Sequence, residues 1–338
     1  MEYRKLGESG LTVSTLCLGT MTFGDRTDES EAQRIVAAAA EAGVNFIDSA
    51  DQYAKGESER IAGKAIAATR RHWILATKVG NRMGPGLGEV GLSRRWMMQA
   101  IDNSLRRLGT DYVDIYYLHY DDIETPLEET LDAIGDIIRS GKARYFGISN
   151  YRGWRISLLM QLGNELGVPR PVVCQPYYNA MNRQPEVEIL PACHYFGLGV
   201  APYSPLARGV LTGKYAPGEP PAADTRAGRK DARMLETEFR PESLVAAKEI
   251  VAHAAKKGMS GAQFAINWVL NNSLVSSAIT GPRTLDQWRE YEASLKFNLD
   301  GEDEALIDRL VRPGHPSSPG YSDPKYPIQG RIPKKLPA

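Results

Sequence analysis

Asp48, Tyr53, Lys78 and His119 are four residues of this 338-residue chain whose types together suit proton transfer. Three of them close apolar runs: Phe46-Ile47-Asp48, Leu75-Ala76-Thr77-Lys78-Val79 and Tyr117-Leu118-His119, while Tyr53 follows shortly after the acid. An unpaired ammonium inside an apolar run is costly, so Lys78 needs a carboxylate, and Asp48 is the candidate. That pair alone would fit a purely structural ion pair. A tyrosine beside the ammonium changes the weighing. The phenol is a poor acid at its ordinary pKa of ~10, and a neighbouring cation is expected to lower that value and make a usable proton donor. A lone histidine at a strand end is more often a satisfied core residue. Here it falls level with the other three groups, where it would orient a carbonyl oxygen or relay a proton.

These groups need a scaffold that brings the ends of successive strands together. Strand-like runs at 44–48, 73–79, 112–119, 143–149, 172–175, 199–203 and 276–280 are near-continuously apolar, as strands covered on both faces are. A run at 12–18 is either a further barrel strand or part of an N-terminal hairpin with residues 3–6. Helical patterns lie between them at 29–42, 58–69, 94–108, 126–140, 154–166, 186–195, 241–257, 261–270 and 285–295. Capping boxes are expected at Thr125-Pro126-Leu127-Glu128, Ser260-Gly261-Ala262-Gln263 and Thr284-Leu285-Asp286-Gln287. Gly43, Gly109, Gly141 and Gly167 stand where helices end in a left-handed residue. About eight βα units predict an α/β fold, a closed (β/α)8 TIM barrel with an N-terminal β-hairpin and its site at the carboxyl ends of the strands. Two segments break the rhythm: a Gly/Pro-rich insertion at 204–240 after strand seven, and a tail at 313–338 with seven prolines. The tail is expected to lie over the barrel surface or to be partly disordered, which leaves 1–312 as the barrel domain.

Composition removes other classes. Lys+Arg 41 balance Asp+Glu 41, so the chain lacks the basic excess of a nucleic-acid binder. No run of ~18 apolar residues offers a membrane span, and the start shows no apolar signal segment. Three scattered cysteines, Cys17, Cys174 and Cys193, read as reduced core thiols of a cytoplasmic protein. No metal is expected. Monomer and homo-oligomer stay open.

The ordered motifs resemble the aldo-keto reductase superfamily from Tyr3 to about Arg312. They are Leu18-Gly19-Thr20-Met21 with Gly24; Asp48-Ser49-Ala50-Asp51-Gln52-Tyr53 with Gly56-Glu57-Ser58-Glu59; and Leu105-Arg106-Arg107-Leu108-Gly109 with Tyr112-Val113-Asp114. Then come Gly147-Ile148-Ser149-Asn150, Gln175-Pro176 with Tyr178-Asn179, Tyr203-Ser204-Pro205-Leu206 with Gly209 and Lys214, and Thr280-Gly281-Pro282-Arg283 with Gln287. The branch resembled includes bacterial reductases and potassium-channel β subunits. The resemblance implies interconversion of a carbonyl and an alcohol with NADP (NADPH). Tyr53 would be general acid/base, tuned by Lys78 and Asp48, with His119 orienting a small-molecule substrate. Gly19, Thr20 and Met21 would form the first loop at the cofactor. Ser149, Asn150 and Gln175 would hold the nicotinamide carboxamide and Tyr203 would stack on its ring. Ser204, Leu206, Gly209 and Lys214 would line pyrophosphate and ribose, and Gly281, Arg283 and Gln287 would meet the adenosine end. Arg283, beside a helix N-terminus, favours NADP over NAD. Position 291 is Tyr where the family would have Asn.

The stretch Gly86-Leu87-Gly88-Glu89-Val90-Gly91 matches G-x-G-x-x-G. It follows the wrong strand, six residues late, and would set Glu89 against a pyrophosphate. It is expected to be a mobile loop near the substrate mouth. Substrate choice is expected to belong to the loops at 21–26, 81–92, 120–124 and 207–240 and to the tail. Two alternatives remain beside the reductase: a lyase using Lys78 as a Schiff-base nucleophile, and a cofactor-binding regulatory subunit of the same fold.

Overall fold

The computed structural model describes residues 1–328. Eight parallel strands run in chain order around a barrel: β3 (Leu16–Gly19), β4 (Phe46–Asp48), β5 (Ile74–Val79), β6 (Val113–Leu118), β7 (Ala143–Ser149), β8 (Val173–Gln175), β9 (Gly199–Val200) and β10 (Ala278–Thr280), with β10 pairing back onto β3. A parallel bridge between Val200 and Val275 joins the remaining edges. Helices follow the strands: α1 (Glu29–Glu41), α2 (Glu57–Ile66), α3 (Arg94–Leu108), α4 (Leu127–Arg139), α5 (Gly153–Leu166), α6 (Ile189–Phe196), α7 (Ala232–Thr237), α8 (Pro241–Lys256), α9 (Gly261–Asn271), α10 (Leu285–Ala293) and α11 (Gly301–Leu310). This is the (β/α)8 barrel that the alternating pattern demanded.

The apolar run at 12–18 divides at Thr15. Its first part is β2 (Thr12–Ser14), antiparallel to β1 (Tyr3–Lys5); its second is the barrel strand β3. The Arg4 guanidinium donates to the carbonyls of Leu270 and Val275 at 2.9 and 2.8 Å, which fastens the hairpin to the barrel. Leu6, fully buried, joins Cys17, Phe46, Ile115 and Tyr117 in the barrel interior. The expected strand at 199–203 is regular only over Gly199–Val200, because Pro202 and the facing Pro176 lack the N–H groups that a ladder requires.

Caps decide several boundaries. Ser260 forms its full capping box with Gln263. The box expected at Thr125 does not form: Pro126 takes the cap position, and the Thr125 hydroxyl donates to Asp122 at 2.7 Å. At α10 Thr284 caps Gln287, but the Gln287 carbonyl accepts from Arg283 N at 2.9 Å instead of closing the box. Helices α7 and α11 were not expected. The Asp300/Asp303 capping box that opens α11 was a sequence signal passed over.

The tail has no fold of its own between 313 and 328. It pairs with Asn182 through Pro316, and the Ser318 hydroxyl donates to Glu242 at 2.8 Å. Asp323 then pairs with Arg233, and the Arg152 guanidinium donates to the Tyr326 carbonyl at 2.9 Å. That path carries it to the carboxyl ends of the strands. Residues 329–338, the remainder of the expected tail, lie outside the described residues.

Helix α2, which follows the Tyr53 loop, approaches α3 closely at Gly63. A Cβ there would sit 2.1 Å from the Leu108 carbonyl oxygen. Overpacking of this kind costs about 1–3 kcal/mol. Gly63→Ala is expected to lose that much stability in chemical denaturation, and an unchanged midpoint would show that α2 can shift freely.

Candidate active site

Lys78, from β5, is fully buried, and its three N–H groups find three acceptors. They are Asp48 Oδ2 at 2.5 Å, the Ser49 carbonyl at 2.6 Å and Tyr53 Oη at 3.2 Å. Asp48, at the end of β4, accepts at its other oxygen from Gln175 Nε2 at 3.0 Å. Burial opposes the Lys78 charge, but Asp48 and Tyr53 more than offset it, and its pKa stands above the ordinary lysine value. The lysine is therefore an ammonium with no lone pair to offer. Burial also raises Asp48, with Lys78 and Gln175 pulling against it.

The expectation that Lys78 acidifies Tyr53 is not met. Burial is the largest influence and pushes the phenol above its ordinary value; Lys78 pulls it down but is outweighed, and Asp48 adds to the rise. The phenol therefore keeps its proton near pH 7, with Lys78 already donating to its oxygen. His119 lies edge-on to Tyr53, with ring centroids 6.1 Å apart. Burial, then the charges of Lys78 and Lys325, hold its pKa well below the usual histidine value, so the imidazole is neutral. Its Nδ1 is buried without a hydrogen-bond partner among the described residues.

A cavity of about 610 Å³ opens above these groups. All of the expected cofactor residues line it: Gly19, Thr20, Met21, Asp48, Ser149, Asn150, Gln175, Tyr203, Ser204, Leu206, Gly209, Lys214, Gly281, Arg283 and Gln287. Lys78 does not line it; it sits behind Asp48 and Tyr53. The three residues assigned to a carboxamide form a chain of their own: Ser149 donates to the Gln175 carbonyl, and Asn150 Nδ2 donates to Ser149 Oγ at 3.0 Å. Asn150 Oδ1 accepts from the Tyr203 hydroxyl at 2.8 Å. Tyr203 is backed by Tyr177, stacked with centroids 5.6 Å apart. After β9 the backbone is strained, with Ser204, Ala207 and Arg208 at φ of 57, 46 and 49°. Non-glycine residues in that region concentrate at ligand-binding loops.

The far arm of the cavity is cationic. Beside Lys214 and Arg283 stand Arg26 and Arg226, which the sequence reading missed because nothing in their loops marks them. Burial and then the other cations depress Lys214 and Arg226, as expected when positive groups crowd one another. A Cβ on Gly209 would lie 2.7 Å from Lys214 Nζ, so the ammonium folds over that loop. Among the described residues neither Lys214, Arg226 nor Arg283 has an ion-pair partner. The helix N-terminus beside Arg283 is less open than its sequence suggested: Leu285 N donates to Glu31 at 2.6 Å, so the protein supplies the anion itself. Tyr291, buried, lines the arm where the family pattern has Asn.

Loops 81–92 and 120–124 do not line the cavity, contrary to expectation, whereas Lys325 and Tyr326 of the tail do. The 86–91 stretch is tied by Glu89, whose carboxylate accepts from Gly86 N at 3.0 Å. Among the described residues no group of three or more His, Cys, Asp or Glu could hold a metal, and no helix is long and apolar enough to cross a membrane. Cys17, Cys174 and Cys193 are free and buried.

The family model described as the aldo/keto reductase family matches residues 15–312. A rice protein described as a probable voltage-gated potassium channel subunit beta is 40% identical over 286 residues, 83% of this chain and 87% of its own. An L-glyceraldehyde 3-phosphate reductase of Escherichia coli K12 is 34% identical over 329 residues, 93% of each chain. An uncharacterised oxidoreductase of Bacillus subtilis is 34% identical over 334 residues, 95% of this chain and all of its own.

One acid near Tyr53, Asp51, has no ion-pair partner among the described residues. Both Asp51 oxygens are buried without a hydrogen bond among the described residues, and burial, with Glu59 adding to it, lifts its pKa to about 8. A carboxyl raised on folding stabilises the fold at low pH, and that stability is lost as pH rises from the unfolded value of ~4 through the folded one. Wild-type protein is therefore expected to lose stability between about pH 4 and pH 8. Asp51→Asn should flatten this fall, seen as a smaller drop in melting temperature. An equal drop in both proteins would place the titration elsewhere.

Proposed function

The chain belongs to the aldo/keto reductase family, and from that premise we propose that it reduces an aldehyde or ketone with NADPH, with Tyr53 as the proton donor. The observation that carries this reading is the buried Lys78 ammonium, which ties Asp48 to Tyr53 at the floor of the cavity. Bound NADPH would supply the hydride. The protein's part is position and electrostatics. Tyr53 gives its proton to the substrate oxygen, and Lys78, already donating to Tyr53 Oη, strengthens that bond as the phenolate forms. Neutral His119 presents a nitrogen for orienting the oxygen without bringing a charge. Arg283, Lys214, Arg226 and Arg26 fit the phosphates, because three of the four have no carboxylate to neutralise them. Tyr203, held by Asn150 and backed by Tyr177, offers a flat face for the nicotinamide. In the reverse direction the same phenolate would take the alcohol proton.

The same observation disfavours a Schiff-base lyase, since a lysine whose three donors are all bonded cannot attack a carbonyl. The free buried cysteines suit a reducing, cytoplasmic setting. Residues 1–312 act as the barrel domain and 313–338 as its tail, of which Lys325 and Tyr326 complete the mouth.

Tyr53→Phe keeps the ring and removes the proton, so turnover should fall by about 10²–10⁴-fold with cofactor affinity nearly kept. The raised phenol stays protonated and the depressed imidazole stays neutral near pH 7. Carbonyl reduction by the wild type should accordingly be flat from about pH 6 to pH 9. A steep limb in that window, or a Tyr53→Phe variant near wild-type rate, would show that another group delivers the proton.

Arg283→Ala should weaken NADPH about ten- to a hundredfold, the worth of a charge-assisted contact, and leave NADH little changed. Fluorescence quenching titrations with both cofactors test this. Wild-type protein binding NADH as tightly as NADPH would remove Arg283 as a phosphate ligand.

A further inference from the structure

Among the described residues the cavity carries a fourth cation without an ion-pair partner, at its other end, and it comes from the tail. Lys325 lines the cavity together with Tyr326, on the side of Tyr53 and His119. Among the described residues its Nζ has one acceptor, the neutral Asn81 Oδ1 at 3.0 Å. Among the described residues no carboxylate lies within ion-pair distance of it, and residues 329–338 contain no Asp or Glu. The acids near it are already committed. Asp323 is gripped by both terminal nitrogens of Arg233, one at 2.8 Å, and also accepts the Lys325 backbone N–H at 3.0 Å. Glu238 is buried, bonded by the Tyr177 hydroxyl and 3.7 Å from Arg208. Burial and then Arg233 lower the Lys325 pKa, with Arg208 adding to the effect, and the Lys325 charge in turn reaches the His119 imidazole. The ammonium is therefore surplus charge, partly desolvated, close to where a carbonyl must bind.

We propose that the cavity takes an aldehyde or ketone bearing its own anionic group, a carboxylate or a phosphate, and that Lys325 binds that anion. The inference rests on the reductase reading above and names the substrate class for it. A neutral substrate would cover the ammonium and leave N–H groups unbonded, whereas an anion restores them; that difference is a specificity device. The lysine is well placed for it. The Asp323–Arg233 pair and the Arg152 bond to the Tyr326 carbonyl fix the tail on either side of it.

The test has a binding arm and a turnover arm, both on the full chain. Calorimetric titration of benzoate, phenyl phosphate and neutral benzamide is done with and without NADP. The wild type should bind at least one anion and not benzamide. Lys325→Met should weaken the anion tenfold or more, and Lys325→Arg should restore it. Tighter phenyl phosphate assigns a phosphate group to the substrate; tighter benzoate assigns a carboxylate. For turnover, kcat/KM for 4-formylbenzoate over that for its neutral methyl ester should exceed tenfold in the wild type and fall toward one in Lys325→Met. No anion binding, or binding that Lys325→Met leaves unchanged, overturns the inference even if the ester is reduced. Failure to reduce either aldehyde, with anion binding still dependent on Lys325, overturns the reductase reading and leaves the anion site standing.

Discussion

An ammonium removed from water must have every donor bonded, or the fold that buries it loses several kcal/mol. Lys78 meets that condition with groups from two places, the end of β4 and the loop carrying Tyr53. The parallel register that sets Asp48 beside Ala76 brings the Asp48 carboxylate within reach of the lysine two residues further along β5. Tyr53 then has to turn back toward the ammonium, and the chain does so at a cost. Ala54 and Lys55, which follow it, have φ of 47 and 56°, left-handed values that non-glycine residues avoid. The bond that stabilises the barrel and the bond that holds the Tyr53 phenol belong to one ammonium. The site cannot slacken without exposing an unpaired charge in the core.

Electrostatics divide along the cavity. Its floor holds a paired acid and base, while its two arms hold cations without dedicated partners. Seven Lys or Arg side chains line the cavity against four Asp or Glu, in a chain whose formal charge is zero. Overall neutrality therefore conceals a concave surface with an excess of positive groups, where low-dielectric walls concentrate the field.

What the sequence made legible follows from where each signal is written. Asp48, Lys78 and His119 stand out because polar residues at the ends of apolar strands are conspicuous, and the barrel strands were visible because both of their faces are covered. The split at Thr15 was not visible, since Thr, Val, Ser, Leu and Cys in one unbroken run carry no glycine or proline to mark a break. The Tyr53 phenol misled for a related reason: a neighbouring cation can be read from spacing, but the degree of burial that outweighs it cannot. Arg26, Arg226 and Lys325 lay beyond reach because they sit in irregular segments. There neither periodicity nor capping says which way a side chain points, and only the closed barrel brings them together.

Those irregular segments also build the walls above the floor of the cavity. Asp48, Lys78 and His119 stand at strand ends and Tyr53 in the loop after β4, which the closed sheet fixes. The walls come from the insertion after β9 and from the tail, neither of which the barrel needs. These two walls are fastened to each other by Arg233 to Asp323 and by Arg240, whose guanidinium lies 3.7 Å from the Tyr321 ring centroid. The insertion carries Arg226, at one end of the cavity, and the tail carries Lys325, at the other. The two walls thus meet through a short surface contact that does not pass through the barrel, above strand ends that the closed sheet holds in place.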